Sequence, residues 1–339
     1  MKGDALPYHL RPHKAVDRRL FLDLLARYER WRPLVDFAYV SMGAYPLEDH
    51  KQVHRHLGIG RLISFDSDKN IVARQTFNRP VGSCACLCRK SAEVVDEFDD
   101  VLREGNAEDA AGVIVWLDYT APRDIGKQIR EFQTLLNKLQ DSDVVRVTVN
   151  ANPASLFDGK KGDGSHYDGK EMRERRFEVI EKRIEEYLPS DAGADDMDKD
   201  GYPVLLSRAF GRAATQALPL TGKRTFVPLS LVRYADGQQM LSITGAVVER
   251  NRVGEMREAI GIERWPYGVS DWGDVRRLAV PDLTLRERLF LEQKIAESEP
   301  EKIAADLGFE LGNGMNTSQF IQDYRNFYRF YPSLLAAEV

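Results

Sequence analysis

The sequence lacks a long hydrophobic run: no stretch of about 18 consecutive apolar residues occurs, so we expect no membrane span. Residues 1–14 also lack the apolar stretch of a signal peptide, which favours a cytoplasmic protein. An excess of positive charge is absent as well, because the formal net charge is −5. This balance argues against a broad phosphate-binding surface, whereas a local basic patch stays open.

Cysteine is scarce, and the three in the chain lie together at Cys84, Cys86 and Cys88. Alternate spacing on a strand would place all three side chains on one face. A metal site needs a fourth ligand and usually a two-residue gap between paired cysteines. We therefore interpret the cysteines as a buried face of small apolar side chains, with metal binding as the alternative.

Two other patterns resemble incomplete metal sites. His50 and His54 lie one helical turn apart, which is a ligand spacing, but Lys51 stands where the metalloprotease motif has glutamate. Asp196–Gly201 matches the first six positions of a calcium-binding loop, but the twelfth position is Ser207 instead of glutamate. We interpret the first as a polar helix face and the second as an acidic surface loop, and we predict no metal.

Predicted strands alternate with predicted helices between residues 35 and 150. This alternation predicts an α/β fold with a doubly wound, mostly parallel sheet. Asp236-Gly237 separates two apolar runs within residues 225–248, which predicts an antiparallel terminal hairpin. We therefore expect an N-terminal helical segment (1–34), an α/β domain (35–250) with an insertion (155–220), and a helical C-terminal region (251–339).

Three residues follow predicted strands at the edge where open parallel sheets bind ligands: Gly43, Asp66 and Asp118. Asp66 comes 23 residues after Gly43, close to the spacing at which an acid binds the hydroxyls of a ribose. The alternative is that Asp66 only caps the next helix. The turn "SMGAYP" has a single glycine and thus lacks the phosphate cradle that cofactors such as NAD need. A cofactor without phosphates suits this turn better.

The arrangement resembles class I S-adenosylmethionine-dependent methyltransferases, a Rossmann-like family. The resemblance lies in "YVSMGAYP" after strand one, "ISFDSD" at the end of strand two, "LDYTAP" at the end of strand four, and the terminal hairpin. It implies a methyl-transferring enzyme with S-adenosylmethionine as its cofactor. It also implies that residues 35–250 form a Rossmann-like methyltransferase-type domain.

The resemblance also implies roles for individual residues. Asp66 would bind the ribose, and Gly43 and Ala44 would face the methionine part of the cofactor. Asp118 and Tyr119 would lie between cofactor and acceptor, where Asp118 could orient a nucleophile or accept its proton. "LDYTAP" differs from the motif of amino-methylating DNA enzymes, so an unknown oxygen acceptor is slightly favoured over an adenine amine. The full set of expected cofactor-binding residues is Met42, Gly43, Ala44, Asp66 and Asp118.

The C-terminal helices favour two other functions. Residues 301–309, "EKIAADLGF", are similar to the first helix and turn of a helix-turn-helix, with residues 317–331 as the recognition helix. The aromatic residues between Phe320 and Tyr331 have helical spacing, which is more typical of a core or a protein interface. The alternatives to an enzyme are therefore a catalytically weak or inactive protein of the same fold and a DNA-associated regulator. The former would bind a protein partner or self-associate through this region.

Overall fold

A computed structural model describes residues 12–159, 167–280, 283–311 and 316–331. The chain divides into two compact units. One unit is Leu24–Arg276, and the other combines Met1–Asp23 with Arg277–Val339. Within the described residues, no helix is both long and apolar enough to span a membrane.

The strands form one sheet in the order β3-β2-β1-β4-β5-β7-β6-β8. Their bounds are β1 Ala38–Ser41, β2 Arg61–Asp66, β3 Ala85–Cys88, β4 Val113–Asp118, β5 Val144–Asn150, β6 Arg224–Asp236, β7 Gln238–Glu249 and β8 Arg276–Arg277. Strands β1 to β5 are parallel, and β7 is antiparallel to both β5 and β6. The predicted doubly wound, mostly parallel sheet with a terminal antiparallel hairpin is confirmed.

Twelve α-helices are present in the described parts of the chain. They are α1 Pro12–Tyr28, α2 Glu48–Leu57, α3 Lys69–Asn78, α4 Ser91–Asp96, α5 Phe98–Glu104, α6 Ile125–Lys138, α7 Gly169–Ile184, α8 Gly201–Ala217, α9 Val253–Ile260, α10 Leu285–Lys294, α11 Pro300–Leu307 and α12 Thr317–Phe327. The sequence pattern did not predict α8. Its Pro203 lies in the first turn, where a proline without an N–H is tolerated.

One face of the sheet packs an apolar core. Alternate residues of the central strands, such as Val115 and Val147, belong to a single buried cluster with residues of α4, α6 and α8. The ring of Phe132 on α6 contacts those of Phe210 on α8 and Phe226 on β6, with centroids 5.3 Å and 5.4 Å apart. Edge-to-face packing of this kind stabilises the layer of helices against the sheet.

The opposite face of the sheet carries buried polar side chains among its apolar ones, which the strand pattern did not reveal. The Arg146 guanidinium lies 4.7 Å from the centre of the Trp116 ring and donates a hydrogen bond to Thr244 at 2.8 Å. The Trp116 indole N–H donates to Thr148 Oγ1 at 3.0 Å. These bonds compensate the desolvation of polar groups in the middle of the sheet.

The smaller unit buries the aromatic residues of α12. Tyr324 is fully buried and donates its hydroxyl to Glu292 on α10 at 2.9 Å. Its ring also contacts that of Phe327. Arg325 donates to the carbonyl of Ser298. Core packing, instead of a DNA-facing surface, therefore accounts for the aromatic spacing, and the helix-turn-helix regulator is not favoured.

Candidate cofactor site

The strand register places three predicted site residues at one level of the sheet edge. Ser41 at the end of β1 is aligned with Ser64 on β2 and with Trp116 on β4. Gly43, Asp66 and Asp118 each follow two residues later. Because β1 lies between β2 and β4, where the strand order reverses, these residues flank the switch point at which open α/β sheets bind ligands.

The turn between β1 and α2 is closely packed around Gly43, so that neighbouring side chains would have to shift to admit a larger residue. A Cβ there would lie 2.5 Å from Leu47 Cδ2 and 2.5 Å from Ser64 Oγ. The Gly43 N–H donates to the carbonyl of Ser41 at 2.9 Å, and its carbonyl accepts from the Gln75 side-chain amide. Gly43 therefore allows the turn to pack closely against these side chains, which is a role that local sequence patterns do not indicate.

Helix α3 fixes the same turn from the side of β2. Besides the bond from Gln75 to Gly43, Asn78 Nδ2 donates to the carbonyl of Tyr45 at 3.2 Å. The Arg74 guanidinium lies 3.4 Å from the centre of the Tyr45 ring. Local sequence patterns do not indicate these contacts, because about 30 residues separate the partners and no short motif links them.

The neighbouring predicted residues Met42 and Ala44 are both half-buried. The Met42 N–H donates to the carbonyl of Trp116 at 3.2 Å, and its side chain packs against the apolar core. The Ala44 carbonyl accepts from the Leu47 N–H at 3.0 Å. Both residues thus stand at the edge of the turn, between the core and the surface.

Buried polar side chains surround the turn. His50 and Ser64 are fully buried. A Cβ added at Gly43 would meet Ser64 Oγ, His50 Cε1 and the side chain of Leu47. The His50 Nε2–H donates to the carbonyl of Ile63 at 3.0 Å, and burial lowers the pKa of His50, so the ring is neutral. Four atoms here have no hydrogen-bond partner among the described residues: Ser41 Oγ, His50 Nδ1, Ser64 Oγ and Gln75 Oε1.

Asp66 is half-buried at the end of β2. One of its carboxylate oxygens accepts from the Asp68 N–H at 2.7 Å. Asp68, and not Asp66, caps α3, because its side chain accepts from the N–H groups of Asn70 and Ile71. The helix-capping alternative for Asp66 is therefore wrong, and the carboxylate stays a candidate for binding a ligand.

Asp118 and Tyr119 have different surroundings although they are neighbours at the end of β4. Asp118 is half-buried, whereas Tyr119 is buried and donates its hydroxyl to Glu131 on α6 at 2.5 Å. Burial and the nearby Glu131 carboxylate raise the pKa of Tyr119 well above its usual value. The phenol is therefore neutral and already engaged, and its catalytic role stays a prediction.

The residues of the metal-like patterns make other contacts. His54 Nδ1 bonds the carbonyl of Ile59 at 2.9 Å. Asp198 accepts from the N–H groups of Asp200 and Gly201, so the calcium-like segment forms a turn that leads into α8. Among the residues that the structure describes, no three histidine, cysteine or acidic side chains form a group able to hold a metal.

Two surface clefts occur away from the predicted residues. One is lined by residues of α7 and of 191–196, and the other by Arg89, Asp100, Arg103 and Glu104. Both have charged walls, and neither contains Gly43, Asp66 or Asp118. The candidate site is therefore argued from strand register and buried polar groups.

Several solved structures resemble the chain at a distance. The fibrillarin/Nop5p complex has 10% identity and a TM-score of 0.34, covering 62% of this chain and 72% of that one. The N-methyltransferase NodS from Bradyrhizobium japonicum WM9 has 9% identity and a TM-score of 0.35, with coverages of 69% and 97%. Trm1 from Pyrococcus horikoshii, in complex with S-adenosyl-L-methionine, has 10% identity and a TM-score of 0.41, with coverages of 72% and 57%.

A search of curated proteins gave no match. Among protein families, the one described as "Putative O-methyltransferase" matches residues 6–339. The match includes the whole sheet and the C-terminal helices. The chain belongs to this methyltransferase family.

Proposed function

We propose that the protein transfers a methyl group from S-adenosylmethionine to an oxygen atom of its acceptor. The observation that supports this most directly is the common level of Gly43, Asp66 and Asp118 at the switch point of the sheet. Membership of the methyltransferase family agrees with it. The oxygen acceptor follows the family description and the "LDYTAP" sequence after β4.

The groups around the turn suit the chemistry of this cofactor. Two half-buried carboxylates, Asp66 and Asp118, stand on either side of the β1 turn. A carboxylate can accept hydrogen bonds from both ribose hydroxyls, which is the role we assign to Asp66. Two negative groups also favour a ligand with a cationic sulfonium and an ammonium. The buried hydroxyls of Ser41 and Ser64 add polar atoms without partners among the described residues.

The residues of this chain would act mainly by positioning. When bound, the cofactor supplies an electrophilic methyl group on a positively charged sulfur. Asp118 would orient the acceptor hydroxyl and hold its proton during transfer. The turn, fixed by Gln75 and Asn78, would keep the reacting groups aligned. We do not assign proton transfer to Tyr119, because its hydroxyl already donates to Glu131.

Calorimetry with S-adenosylmethionine tests the cofactor site. Asp66→Asn keeps the shape of the side chain but removes its charge, and we expect the dissociation constant to rise about tenfold to a hundredfold. Asp36→Asn is the matched control, since Asp36 precedes β1 at the opposite edge of the sheet. No heat and no thermal shift with the wild-type protein would remove the cofactor from the proposal. Equal affinities of the two variants would remove Asp66 from the site.

The oxygen acceptor needs a separate experiment. The protein is incubated with a cell extract and a cofactor labelled with carbon-13 in its methyl group. Carbon-13 NMR of the product then separates methoxy from N-methyl groups. We expect a methoxy signal that Asp118→Asn abolishes even at a cofactor concentration that saturates the variant in calorimetry. A labelled N-methyl product would contradict the oxygen acceptor.

A further inference from the structure

Residues 69–92, which include α3 and β3, carry charge of one sign only. They contain five basic side chains and no acidic one, although acidic residues outnumber basic ones in the whole chain. Arg89 is paired with Glu97 and Glu104. The other four basic side chains are exposed and form no ion pair with any residue that the structure describes: Lys69, Arg74, Arg79 and Lys90. The segment therefore provides a local basic patch, which the net charge of the chain had left open.

The same segment exposes an aromatic ring. Phe77 on α3 is 89% exposed, more than any other large hydrophobic side chain among the described residues. It comes three residues after Arg74, and residues at this spacing are neighbours on a helix surface. The Arg74 guanidinium rests on the ring of Tyr45, and its N–H groups donate to no residue in the described ranges. A cation with free donors and an aromatic ring thus lie side by side at the surface.

Helix stability does not explain these residues. Lys69 is the first residue of α3, whose first turn has no acidic side chain, and a cation at a helix N-terminus opposes the helix dipole. Phe77 adds little to the core, because Gln75 is the one buried residue of α3. Residues that depart from local stability rules in this way are expected at functional sites.

The other side of α3 holds the candidate cofactor turn. Gln75 donates to the carbonyl of Gly43, and Asn78 donates to the carbonyl of Tyr45. Phe77 lies between these two donors in sequence and is exposed. A ligand on the exposed side of α3 would therefore be separated from the turn by the width of a single helix.

Lys90 lies near the start of the same helix. Cys88 on β3 is aligned with Asp66 on β2, and the Arg89 N–H donates to the Asp66 carbonyl at 3.1 Å. Lys69 and Lys90 thus follow the ends of two paired strands within three residues. Together the exposed residues form what we call the α3 surface: Lys69, Arg74, Phe77, Arg79 and Lys90.

We propose that the α3 surface binds single-stranded RNA beside the cofactor turn. Lysine and arginine neutralise the phosphates of a nucleic acid, and an exposed aromatic ring stacks on an unpaired base. A duplex keeps its bases paired, so Phe77 favours a single strand. From Lys69 to Arg79 the chain rises about 15 Å, which corresponds to about four nucleotides at roughly 3.4 Å each.

The choice of RNA over DNA rests on the proposed function. The acceptor proposed above is an oxygen atom, and the 2′-hydroxyl of ribose is an oxygen acceptor that DNA lacks. The acidic residues nearest in sequence, Asp66 and Asp68, precede α3 and accept backbone hydrogen bonds from Asp68 and Asn70. The basic residues of the α3 surface therefore begin directly after the carboxylate to which we assign cofactor binding.

Fluorescence anisotropy with a labelled oligoadenylate RNA of about 12 nucleotides tests the charges, on the full chain without cofactor. The logarithm of the association constant should fall with the logarithm of the salt concentration, with a slope of about −2.8 for four cations. The double variant Arg79→Gln, Lys90→Gln should reduce this slope by about 1.4, because two phosphate contacts are lost. Arg30→Gln with Lys223→Gln, at exposed positions outside the segment, changes the net charge equally and should leave the slope unchanged.

Phe77→Ser tests the aromatic contact separately. We expect binding to weaken about tenfold with an unchanged salt slope, because stacking on a base releases no counterions. Leu220→Ser is the matched control, since Leu220 is 76% exposed and lies outside the segment. It should bind the RNA as tightly as the wild type. Thermal unfolding of each variant establishes that it is folded.

Three results would overturn the proposal. One is the absence of binding at low salt. Another is competition by polyglutamate as strong as that by unlabelled RNA of equal charge, which would indicate an acidic polypeptide as the partner. The third is a DNA strand of the same sequence that binds about tenfold more tightly than the RNA. Because the assay contains no cofactor, its failure is distinguishable from a failure of the calorimetry that tests the proposed function.

Discussion

The side-chain amide of Gln75 donates a hydrogen bond to the backbone carbonyl of Gly43, 32 residues earlier in the chain. Both residues are buried, and Gln75 is fully so. The helix after β2 thus fixes the turn after β1. Four testable predictions follow from this contact and from three other sites of the larger unit.

Replacing Gln75 tests the contact itself. Gln75→Met keeps the length of the side chain but leaves the buried Gly43 carbonyl without its donor. We expect the free energy of unfolding to fall by about 1–3 kcal/mol, measured by urea denaturation. Gln216→Met, at an exposed position of α8, is the matched control and should change stability by less than about 0.5 kcal/mol. Equal stabilities of the two variants would show that the bond is not formed in solution.

Replacing Gly43 tests the close packing of the turn. In Gly43→Ala the added methyl group would approach Leu47 and Ser64 to 2.5 Å, so either the side chains or the turn must move. We expect a loss of about 1–3 kcal/mol in the free energy of unfolding. Gly60→Ala is the control, because no atom lies within 4 Å of its added Cβ. A Gly43→Ala protein as stable as Gly60→Ala would contradict the close approach.

Removing the hydroxyl of Tyr119 separates a structural from a catalytic role. Tyr119→Phe leaves the buried Glu131 without its 2.5 Å donor. We expect the free energy of unfolding to fall by about 1–3 kcal/mol, while cofactor affinity in calorimetry stays at the wild-type value. Tyr45→Phe, whose half-buried ring lies under Arg74, is the stability control. If stability is unchanged and methyl transfer is lost, Tyr119 acts in catalysis after all.

Asp143 makes stability depend on pH. Burial raises the pKa of Asp143 from 3.8 to about 6, although its carboxylate accepts from the N–H groups of Val113 and Gln140. The folded protein therefore binds this proton more tightly than the unfolded chain does. The contribution of Asp143 to the free energy of unfolding should rise by about 1 kcal/mol between pH 7 and pH 5.

Urea denaturation of wild type and Asp143→Asn across this pH range measures the contribution. As the pH falls, the free energy of unfolding of the wild type should rise relative to that of Asp143→Asn. The two N–H groups bond different carboxylate oxygens. Asparagine has an NH₂ group, which only donates, in place of one of these oxygens, so a constant offset at all pH values is also expected. A difference that does not change with pH would mean that the carboxylate keeps an ordinary pKa in the folded protein.

Local sequence patterns were sufficient for the sheet. Apolar runs followed by Gly43, Asp66 and Asp118 predicted β1, β2 and β4, and Asp236-Gly237 predicted the hairpin. The alternation of strands and helices then limits the topology, because parallel crossovers are right-handed and short. Helix α8 was missed, since the acidic residues before it and Pro203 suggest a loop. In the structure the proline lies in the first helical turn.

The sequence by itself determined the type of sheet, which is doubly wound and mostly parallel with a terminal hairpin. It also determined the family resemblance and the three residues at the sheet edge. These features depend on periodicity and on residues close together in the chain. Only the tertiary structure decided that Asp68 instead of Asp66 caps α3, that Tyr119 is bonded to Glu131, and that Gly43 is packed against Ser64 and held by Gln75. Contacts of this kind depend on how elements that are distant in sequence pack against each other. A pattern of neighbouring residues carries no information about which distant residues come into contact.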